Sequence, residues 1–462
     1  MATALESAIF RPLFSDDEVA ELFADKAYLR AMVDVETALA RAEARLGVIP
    51  SWAGEQIAAG ARSEKIDLAE ITRGTASDGF PVIALVSALR AMVGPQAAAY
   101  VHWGATTQDI MDTASVLQLR AAIAIFTGRV EKIVRDLAAL ADQHRATVLA
   151  GRTHGQQALP ISFGLKAAMW LAPMVRHRQR LDAISPNILV VQFGGASGTL
   201  AALGDKGIVV MEELAGELGL GIPIMPWHTQ RDGFVEFAGW LSLATGSLAK
   251  MAQDIILLAQ TEVGEAAEAS ERGRGGSSTM PQKSNPITSE LIIAAARTNA
   301  SLLSAMHQAL IQEHERATHG WQVEWLALPQ MILLTGAALK HALYLTENLQ
   351  VNAAKMRENL TRANDIVLAE AVVFALSGHM PRTQAHETVK QACRLAASEG
   401  KCLVDVVRDL IGNTIPDGSI DWKRLADPAN YLGETQRMID RVLQRAALLF
   451  PTARARPSRV EG

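Results

Sequence analysis

Hydroxyl, ammonium and amide side chains are crowded into residues 276–286, which follow a Gly/Arg-rich segment and are therefore predicted to form a loop. A base that removes a proton beside a carboxylate creates an enediolate, which cationic and amide donors stabilise. Lys283 and Asn285 suit that stabilising role, while Ser277 and Ser278 supply hydroxyls that can exchange a proton. Serine is intrinsically a poor base, so Ser277 would need loop N–H groups and nearby cations around its alkoxide.

Other polar stretches interrupt the otherwise apolar pattern of the chain. Residues 104–109 read Gly-Ala-Thr-Thr-Gln-Asp, which fits helix capping but also a carboxylate site at a helix start. Residues 151–157 contain His154, which by itself would more often be a surface histidine than a catalyst. The Arg, Thr and Gln residues beside it favour a functional site over an ordinary surface position. Two smaller stretches, 227–232 and 313–316, fit ordinary helix starts and a binding site equally well.

Several common kinds of site have no support in the sequence. It contains no Cys/His ligand cluster and no His-Glu-x-x-His, so nothing indicates a catalytic zinc. Residues 194–198 form a Gly-rich turn without the lysine of a phosphate-binding loop, and no nucleophile elbow has a plausible context. With these kinds of site set aside, the sequence indicates proton transfer beside groups that bind an anion.

Long helices are predicted to position these stretches. Apolar residues recur in steps of three and four, which is the pattern of a helix packed lengthwise in a bundle. The first stripe comprises Val116, Leu119, Ile123, Phe126, Val130, Ile133, Leu137 and Leu140, and the second comprises Phe234, Phe237, Leu241, Ala244, Leu248, Met251, Ile255 and Leu258. Helices of about 30 residues are about 45 Å long, so we expect partner chains to cover part of them in a homo-oligomeric bundle.

Shorter helices are expected on both sides of this centre, because Gly and Pro interrupt the apolar pattern before Val116 and after Val351. The sequence thus predicts a small N-terminal domain, a central bundle and a small C-terminal domain. Strand signals are weak, and residues 188–193 are the best candidate for a hairpin or extended segment.

Composition restricts the partners and the compartment. The 462 residues are 49% hydrophobic but only 5% aromatic, which favours closely packed helices, and the net charge of −5 comes without a basic block. We therefore expect neither nucleic acid nor a membrane surface as a partner. No apolar run reaches the length expected of a membrane span. The start lacks signal-peptide features, and Cys393 and Cys402 fit small core residues better than a disulfide, so a reducing cytoplasm is predicted.

The stretch 276–286 resembles the Gly-Ser-Ser-x-Met-Pro-x-Lys-x-Asn-Pro loop of the fumarase/aspartase superfamily at every defined position. The similarity extends over nearly the whole chain. It implies an all-α protomer with domains at 1–110, 111–352 and 353–462, whose central helices join four subunits into a homotetramer. It also implies active sites shared between subunits, a small polycarboxylate substrate and no metal or organic cofactor.

The resemblance assigns roles residue by residue. Ser277 matches the catalytic base, Lys283 and Asn285 match the groups that stabilise the carbanion, and His154 matches the general acid of many members. Thr106 and Thr107 match a pair that contacts the substrate, and Gln230 matches a substrate-binding glutamine. Arg316 resembles an arginine that holds the anionic end of the substrate. The remaining predicted substrate contacts are Arg152, Thr153, Arg231, Ser278 and Met280.

Within the superfamily, residues 192–198, 226–232, 312–316, 367–371 and 427–433 together look most like the bacterial 3-carboxymuconate cycloisomerases. Such enzymes add one carboxylate of a triacid across a double bond and deliver a proton alpha to another carboxylate.

Two departures keep an alternative open. His154 stands where some cycloisomerases have Trp, and Gln282-Lys283-Ser284 stands where others have His-Lys-Arg. The alternative is a C–N or C–O lyase that releases fumarate from a substituted succinate. A catalytically silent helical oligomer is a third possibility, against which the intact Ser277, Lys283, Asn285 and His154 count.

Overall fold

The structure is a computed structural model and describes residues 3–269, 276, 280, 283–362 and 364–450. The all-α prediction is confirmed, since 69% of the structure is helical and the described residues add only two small antiparallel sheets. Ser277 and Ser278 lie outside the described residues.

The helices and strands follow one another in three parts of the chain. The first part contains α1 (Arg11–Phe14), α2 (Asp17–Leu22), α3 (Asp25–Arg45), α4 (Ser51–Gly60), α5 (Leu68–Asp78), α6 (Val82–Val93) and α7 (Pro95–Ala98). The middle contains α8 (Thr107–Gln143), β1 (Val148–Thr153), β2 (Gln156–Ser162), α9 (Phe163–Ile188), α10 (Gly207–Leu218), α11 (Asp232–Leu258), β3 (Ala266–Ala267), α12 (Ile287–Ala309) and α13 (Gly320–Asn348). The last part contains β4 (Gln350–Val351), α14 (Ala353–Arg362), α15 (Ala369–Ser377), α16 (Arg382–Glu399), α17 (Leu403–Ile411), α18 (Trp422–Leu425) and α19 (Thr435–Ala447). Single 3₁₀ turns occur at Ser63–Lys65, Ala201–Lys206, Ile366–Leu368, Gly412–Thr414 and Pro428–Asn430.

Both predicted heptad stripes are confirmed as long helices. The first lies on α8, whose 37 residues make it about 55 Å long at 1.5 Å per residue. Its stripe is buried: Leu119, Phe126 and Leu137 are at most 1% exposed. The second stripe lies on α11, where Phe237 and Leu241 are fully buried. Burial of a continuous apolar stripe, rather than local propensity, accounts for helices of this length.

Residues 188–193, predicted as a hairpin or extended segment, do not form a hairpin. Helix α9 continues to Ile188, and the residues after it make only a single bridge, from Val190 to Gly221. The hairpin is instead β1–β2, which turns through His154 and Gly155 between the paired residues Thr153 and Gln156. Both turn residues have positive φ, 51° and 75°. A two-residue turn of that hand matches the twist of the flanking strands.

The chain divides into two compact units. The first comprises Met1–Val130, His177–Gly246 and Leu291–Lys340. Its apolar core joins the N-terminal helices to the start of α8 through Leu85, Leu89 and Ile110, all fully buried. The boundaries of the units fall within long helices, and the three-domain division at 110/111 and 352/353 stays a prediction.

The second unit comprises Glu131–Arg176, Ser247–Glu290 and His341–Gly462. One of its cores lies among α15, α16 and α17, and another packs β1 against α14 through Val148, Ala150 and Leu360. Cys393 and Cys402 are free thiols in this unit.

Among the residues that the structure describes, three helices, α8, α11 and α13, are long and apolar enough to cross a membrane by length and composition. The prediction that no apolar stretch reaches that length is wrong by this measure, because charges are sparse within 18-residue windows of these helices. Composition alone does not separate a membrane span from a buried bundle helix. The share of each window that is buried inside the protein is 56%, 44% and 67%, respectively.

Candidate functional site

In the first unit, Asp109 holds together two stretches that are far apart in sequence. Its Oδ1 accepts a hydrogen bond from the Gly194 N–H at 2.9 Å, and its Oδ2 accepts from the Gly195 and Thr106 N–H groups at 2.9 and 3.0 Å. His228 Nε2 lies 2.7 Å from Oδ1. Asp109 is 1% exposed, so this buried carboxylate uses its acceptor sites to fix the Thr106 backbone against the Gly194–Gly195 turn.

Arg316 lies beside the same segment. Its Nη1 donates to Gln108 Oε1 at 3.2 Å, and its Nη2 donates to the carbonyls of Gly195 and Ala196 at 3.2 and 2.9 Å. The Gln108 Nε2 group in turn donates to the His228 carbonyl at 3.0 Å. The half-buried guanidinium is thus oriented next to the predicted Thr pair by three protein acceptors, and it keeps further N–H groups for an anion.

Thr106 and Thr107 stand at the start of α8 and are half-buried. Among the described residues, neither hydroxyl has a hydrogen-bond partner, so both can contact a substrate. Gln230 is exposed and its side chain lines a surface cavity together with Trp227. The structure therefore places Thr106, Thr107, Gln230 and Arg316 in one unit.

Arg231 does not fit its predicted role as a substrate contact. Its fully buried guanidinium donates to Asp112 Oδ2 and Glu324 Oε2, both at 2.6 Å, and makes two further bonds to the same carboxylates. Its charge also faces the Trp227 and Phe234 rings, with centroids 4.8 and 4.9 Å away. Burial opposes the charge, but the two carboxylates outweigh it and raise the pKa of Arg231. This arginine holds α8, α11 and α13 together, and we assign it a structural role.

In the second unit, His154 occupies the tip of the β1–β2 hairpin. It is exposed, as is Thr153 before it. The left-handed backbone at His154 and Gly155 lets the chain reverse within two residues, which projects the imidazole away from the paired strands.

Arg152 anchors this hairpin through an ion pair, and its predicted contact with the substrate stays a prediction. It forms a bidentate pair with Glu265, with distances of 2.8 and 2.7 Å from Nη1 and Nη2. Glu265 is fully buried and also accepts from Asn359 Nδ2 at 2.8 Å. Removing either partner would leave a buried charge uncompensated, so the pair fixes the hairpin to the segment that precedes the signature loop 276–286.

The signature loop is closed at its base. Gly276 and Ser284 pair in an antiparallel bridge, next to Lys283, whose side chain is exposed. Glu268, which precedes the loop, contacts residues that follow it. Its carboxylate accepts hydrogen bonds from the Ser289 N–H and Oγ, both at 2.7 Å, and from the Thr288 N–H at 3.1 Å. An acid at a helix N-terminus satisfies free N–H groups and favours the helix dipole. Glu268 thereby joins the chain before the loop to the start of α12 after it.

Asn285 is half-buried between Lys283 and α12, and the side chain of Met280 is 44% exposed. Arg152, Thr153, His154, Met280, Lys283 and Asn285 all belong to the second unit. The predicted site residues are thus divided between the two units.

Sequence reasoning missed three acids that fix the segments carrying predicted site residues: Asp109 in the first unit, and Glu265 and Glu268 in the second. Asp109 belongs to the stretch 104–109, where an aspartate is also expected for ordinary helix capping. The partners of Glu265 are 94 and 113 residues away, and no local spacing reveals such a pair. Among the described residues, no group of three His, Cys, Asp or Glu side chains could hold a metal ion.

Comparison with known proteins places the chain in a family. The family described as Lyase matches residues 14–298, and that described as Adenylosuccinate lyase C-terminus matches residues 365–442. A 3-carboxy-cis,cis-muconate cycloisomerase of Pseudomonas aeruginosa is 44% identical over 446 residues, covering 96% of this chain and 97% of that protein.

Two solved structures share the fold along nearly their whole length. The 3-carboxy-cis,cis-muconate lactonizing enzyme of Pseudomonas putida has a TM-score of 0.90 and 41% identity, covering 96% of this chain and 99% of that one. A fumarate lyase of Mesorhizobium sp. BNC1 has a TM-score of 0.87 and 44% identity, covering 93% of this chain and 98% of that one. The chain is an enzyme that belongs to the fumarase/aspartase superfamily.

Proposed function

We propose that this enzyme is a 3-carboxy-cis,cis-muconate cycloisomerase of aromatic catabolism. The observation that carries the proposal is full-length similarity at 44% identity to a protein of that name, together with the close structural match to a lactonizing enzyme. The similarity covers 96% of this chain and therefore extends over both units rather than one loop.

The proposed reaction is an intramolecular addition. One carboxylate oxygen of the substrate attacks the double-bond carbon that is beta to a second carboxylate, forming the C–O bond of a lactone. The electron pair of the double bond moves into that second carboxylate as an enediolate. The hydroxyl proton of Ser277 then moves to the alpha carbon. Each forward turnover consumes one proton, which solvent returns to the Ser277 alkoxide. In the reverse direction that alkoxide removes the same proton, so the overall change is balanced without a redox partner.

Charge stabilisation is the main requirement of this reaction, because the enediolate carries two negative charges on adjacent oxygens. We assign that role to the Lys283 ammonium and the Asn285 amide. Thr106, Thr107 and Arg316 would hold the remaining carboxylates. Arg316 suits this role because its guanidinium is already oriented by Gln108 and the Gly195 carbonyl.

His154 distinguishes the cycloisomerase from the fumarate-releasing lyase, which is the second candidate. A carboxylate leaves or attacks without a proton, whereas an amine leaving group must be protonated. The similarity to a fumarate lyase and the retained His154 favour this second candidate. For a cycloisomerase, His154→Gln should lower kcat less than about tenfold. For a C–N lyase the loss should be about 10²–10⁴-fold, the range for a positioned acid.

An activity assay tests the proposal. Purified enzyme is incubated with 3-carboxy-cis,cis-muconate, and the loss of the conjugated-diene absorbance is followed. Parallel reactions contain fumarate with a panel of amines and are analysed for adducts. Diene loss that Ser277→Ala abolishes supports the cycloisomerase, and adduct formation without diene loss supports the lyase.

We call the predicted site residues of each unit a half-site. We further propose a homotetramer in which the two half-sites are completed by other subunits, as the superfamily resemblance implies. The division of the predicted residues between two units supports shared sites. We also propose a soluble enzyme in the cytoplasm and no requirement for a cofactor.

A further inference from the structure

The first unit contains a cavity of about 320 Å³ that includes none of the predicted site residues. Its walls come from α3, α5, α8, α11 and α13. A volume of this size lies at the small end of ligand-binding pockets, and aromatic walls with a few polar groups are typical of them.

The charges beneath the cavity do not balance. Asp112 and Glu324 both line it and are 2% and 3% exposed, but they share a single cation, Arg231. Burial raises the pKa of Glu324 even though Arg231 opposes that shift. Two buried carboxylates that share one cation are costly, and a cation in the cavity would offset the surplus negative charge.

Backbone groups add to the negative potential. Helix α5 ends at the cavity wall, where Thr75 and Gly79 line it, and a helix C-terminus favours positive charge. On α13, Pro329 lines the cavity and has no N–H to donate to the Trp325 carbonyl one turn earlier. That carbonyl can accept a hydrogen bond from a ligand.

The side chains complete a site for an amphiphilic cation. Asp25 lines the cavity with an exposed carboxylate that has no ion-pair partner among the described residues. Trp321 and Trp325 stand with ring centroids 4.8 Å apart, and Tyr28 of α3 also lines the cavity. Aromatic faces attract cations electrostatically, while Leu119 and Leu328 provide an apolar interior.

We propose that this cavity binds a small organic ammonium ion with an apolar body. The inference is independent of the reaction, because the cavity lies apart from the predicted catalytic residues and selects a charge opposite to that of a polycarboxylate.

Calorimetric titration of the full-length enzyme with benzylammonium tests the proposal, with benzyl alcohol and benzoate as matched probes. Benzylammonium should bind at millimolar concentration or tighter, benzyl alcohol at least about tenfold more weakly, since that factor equals about 1.4 kcal/mol of charge interaction. Benzoate should not bind in the cavity. Equal binding of the alcohol, or no heat with benzylammonium, would overturn the proposal.

Two variants locate the binding. Leu328→Trp fills the cavity and should abolish benzylammonium binding, with Leu448→Trp at the exposed C-cap of α19 as its control. Asp25→Asn should weaken binding by about threefold to fivefold, as expected for a partly exposed ion pair, whereas Asp417→Asn should not. Unchanged affinity in both cavity variants would contradict the assignment, and Asp25→Asn remains informative if Leu328→Trp does not fold.

Discussion

The Asp109→Asn variant tests whether a single buried carboxylate organises the first half-site. Asp109 accepts hydrogen bonds from three N–H groups and contacts His228 Nε2. Asparagine has nearly the same shape, but one of its two terminal atoms becomes an NH₂ donor. Whichever way the amide is oriented, at least one backbone N–H then faces a donor instead of an acceptor.

The magnitude follows from the bonds that are lost. A hydrogen bond to a charged group contributes about 1.5–3 kcal/mol. If the amide oxygen stays with Gly195 and Thr106, the Gly194 bond is lost and the cost is about 1.5–3 kcal/mol. The opposite orientation loses both of the other bonds and costs about twice as much. We therefore expect the free energy of unfolding to fall by about 2 kcal/mol, the value of the cheaper orientation.

Activity should fall as well, because Asp109 fixes the Thr106 backbone and the turn whose carbonyls orient Arg316. The expected result is a higher KM for the polycarboxylate substrate, since the affected groups hold its carboxylates. Thermal unfolding and steady-state kinetics measure the two effects. Asp67→Asn is the matched control, because Asp67 caps α5 through one bond to the Ala69 N–H and asparagine caps as well as aspartate. Wild-type unfolding and KM in Asp109→Asn would refute the reasoning.

Two further predictions concern stability. Burial, followed by repulsion from Glu36, raises the pKa of Glu43 to about 9, so the folded protein keeps a proton that the unfolded chain releases above about pH 4.3. Stability should consequently fall as pH rises through this window, and Glu43→Gln should match the wild type near pH 4 yet exceed it at pH 8 by up to about 5 kcal/mol, at 1.36 kcal/mol per pH unit. Denaturation at both pH values checks this, and an equal gain at both would contradict it. Arg231→Leu leaves two buried carboxylates without a cation and should cost about 3–5 kcal/mol, whereas Arg11→Leu, which breaks an exposed pair with Asp17, should cost less than about 1 kcal/mol. Similar unfolding temperatures for the two arginine variants would exclude the structural role of Arg231.

The long helices could be predicted from sequence because their apolar stripes are periodic and local. Leu119, Phe126 and Leu137 recur at the heptad spacing that buries one face. The hairpin was misplaced because the apolar run ending at Phe193 resembles a strand, whereas β1–β2 is defined by a turn whose first residue is a histidine rather than the usual Asn or Gly.

The site was only partly predictable for a different reason. Side chains such as Lys283 and His154 stand in local motifs, and the motif itself indicates chemistry. Whether an arginine binds a substrate or a buried acid depends on contacts between residues that are distant in sequence. Arg152 meets Glu265 across 113 residues, and no pattern within a window encodes that pairing.

The central claim is that the enzyme closes a lactone by adding a carboxylate and delivering a solvent-exchangeable proton to the alpha carbon. The most direct measurement is NMR of the product formed from 3-carboxy-cis,cis-muconate in deuterium oxide. The mechanism predicts a lactone with one deuterium on the carbon alpha to a carboxylate, and no such product with Ser277→Ala. Unchanged substrate with the wild-type enzyme, or a lactone without deuterium at that carbon, would contradict it.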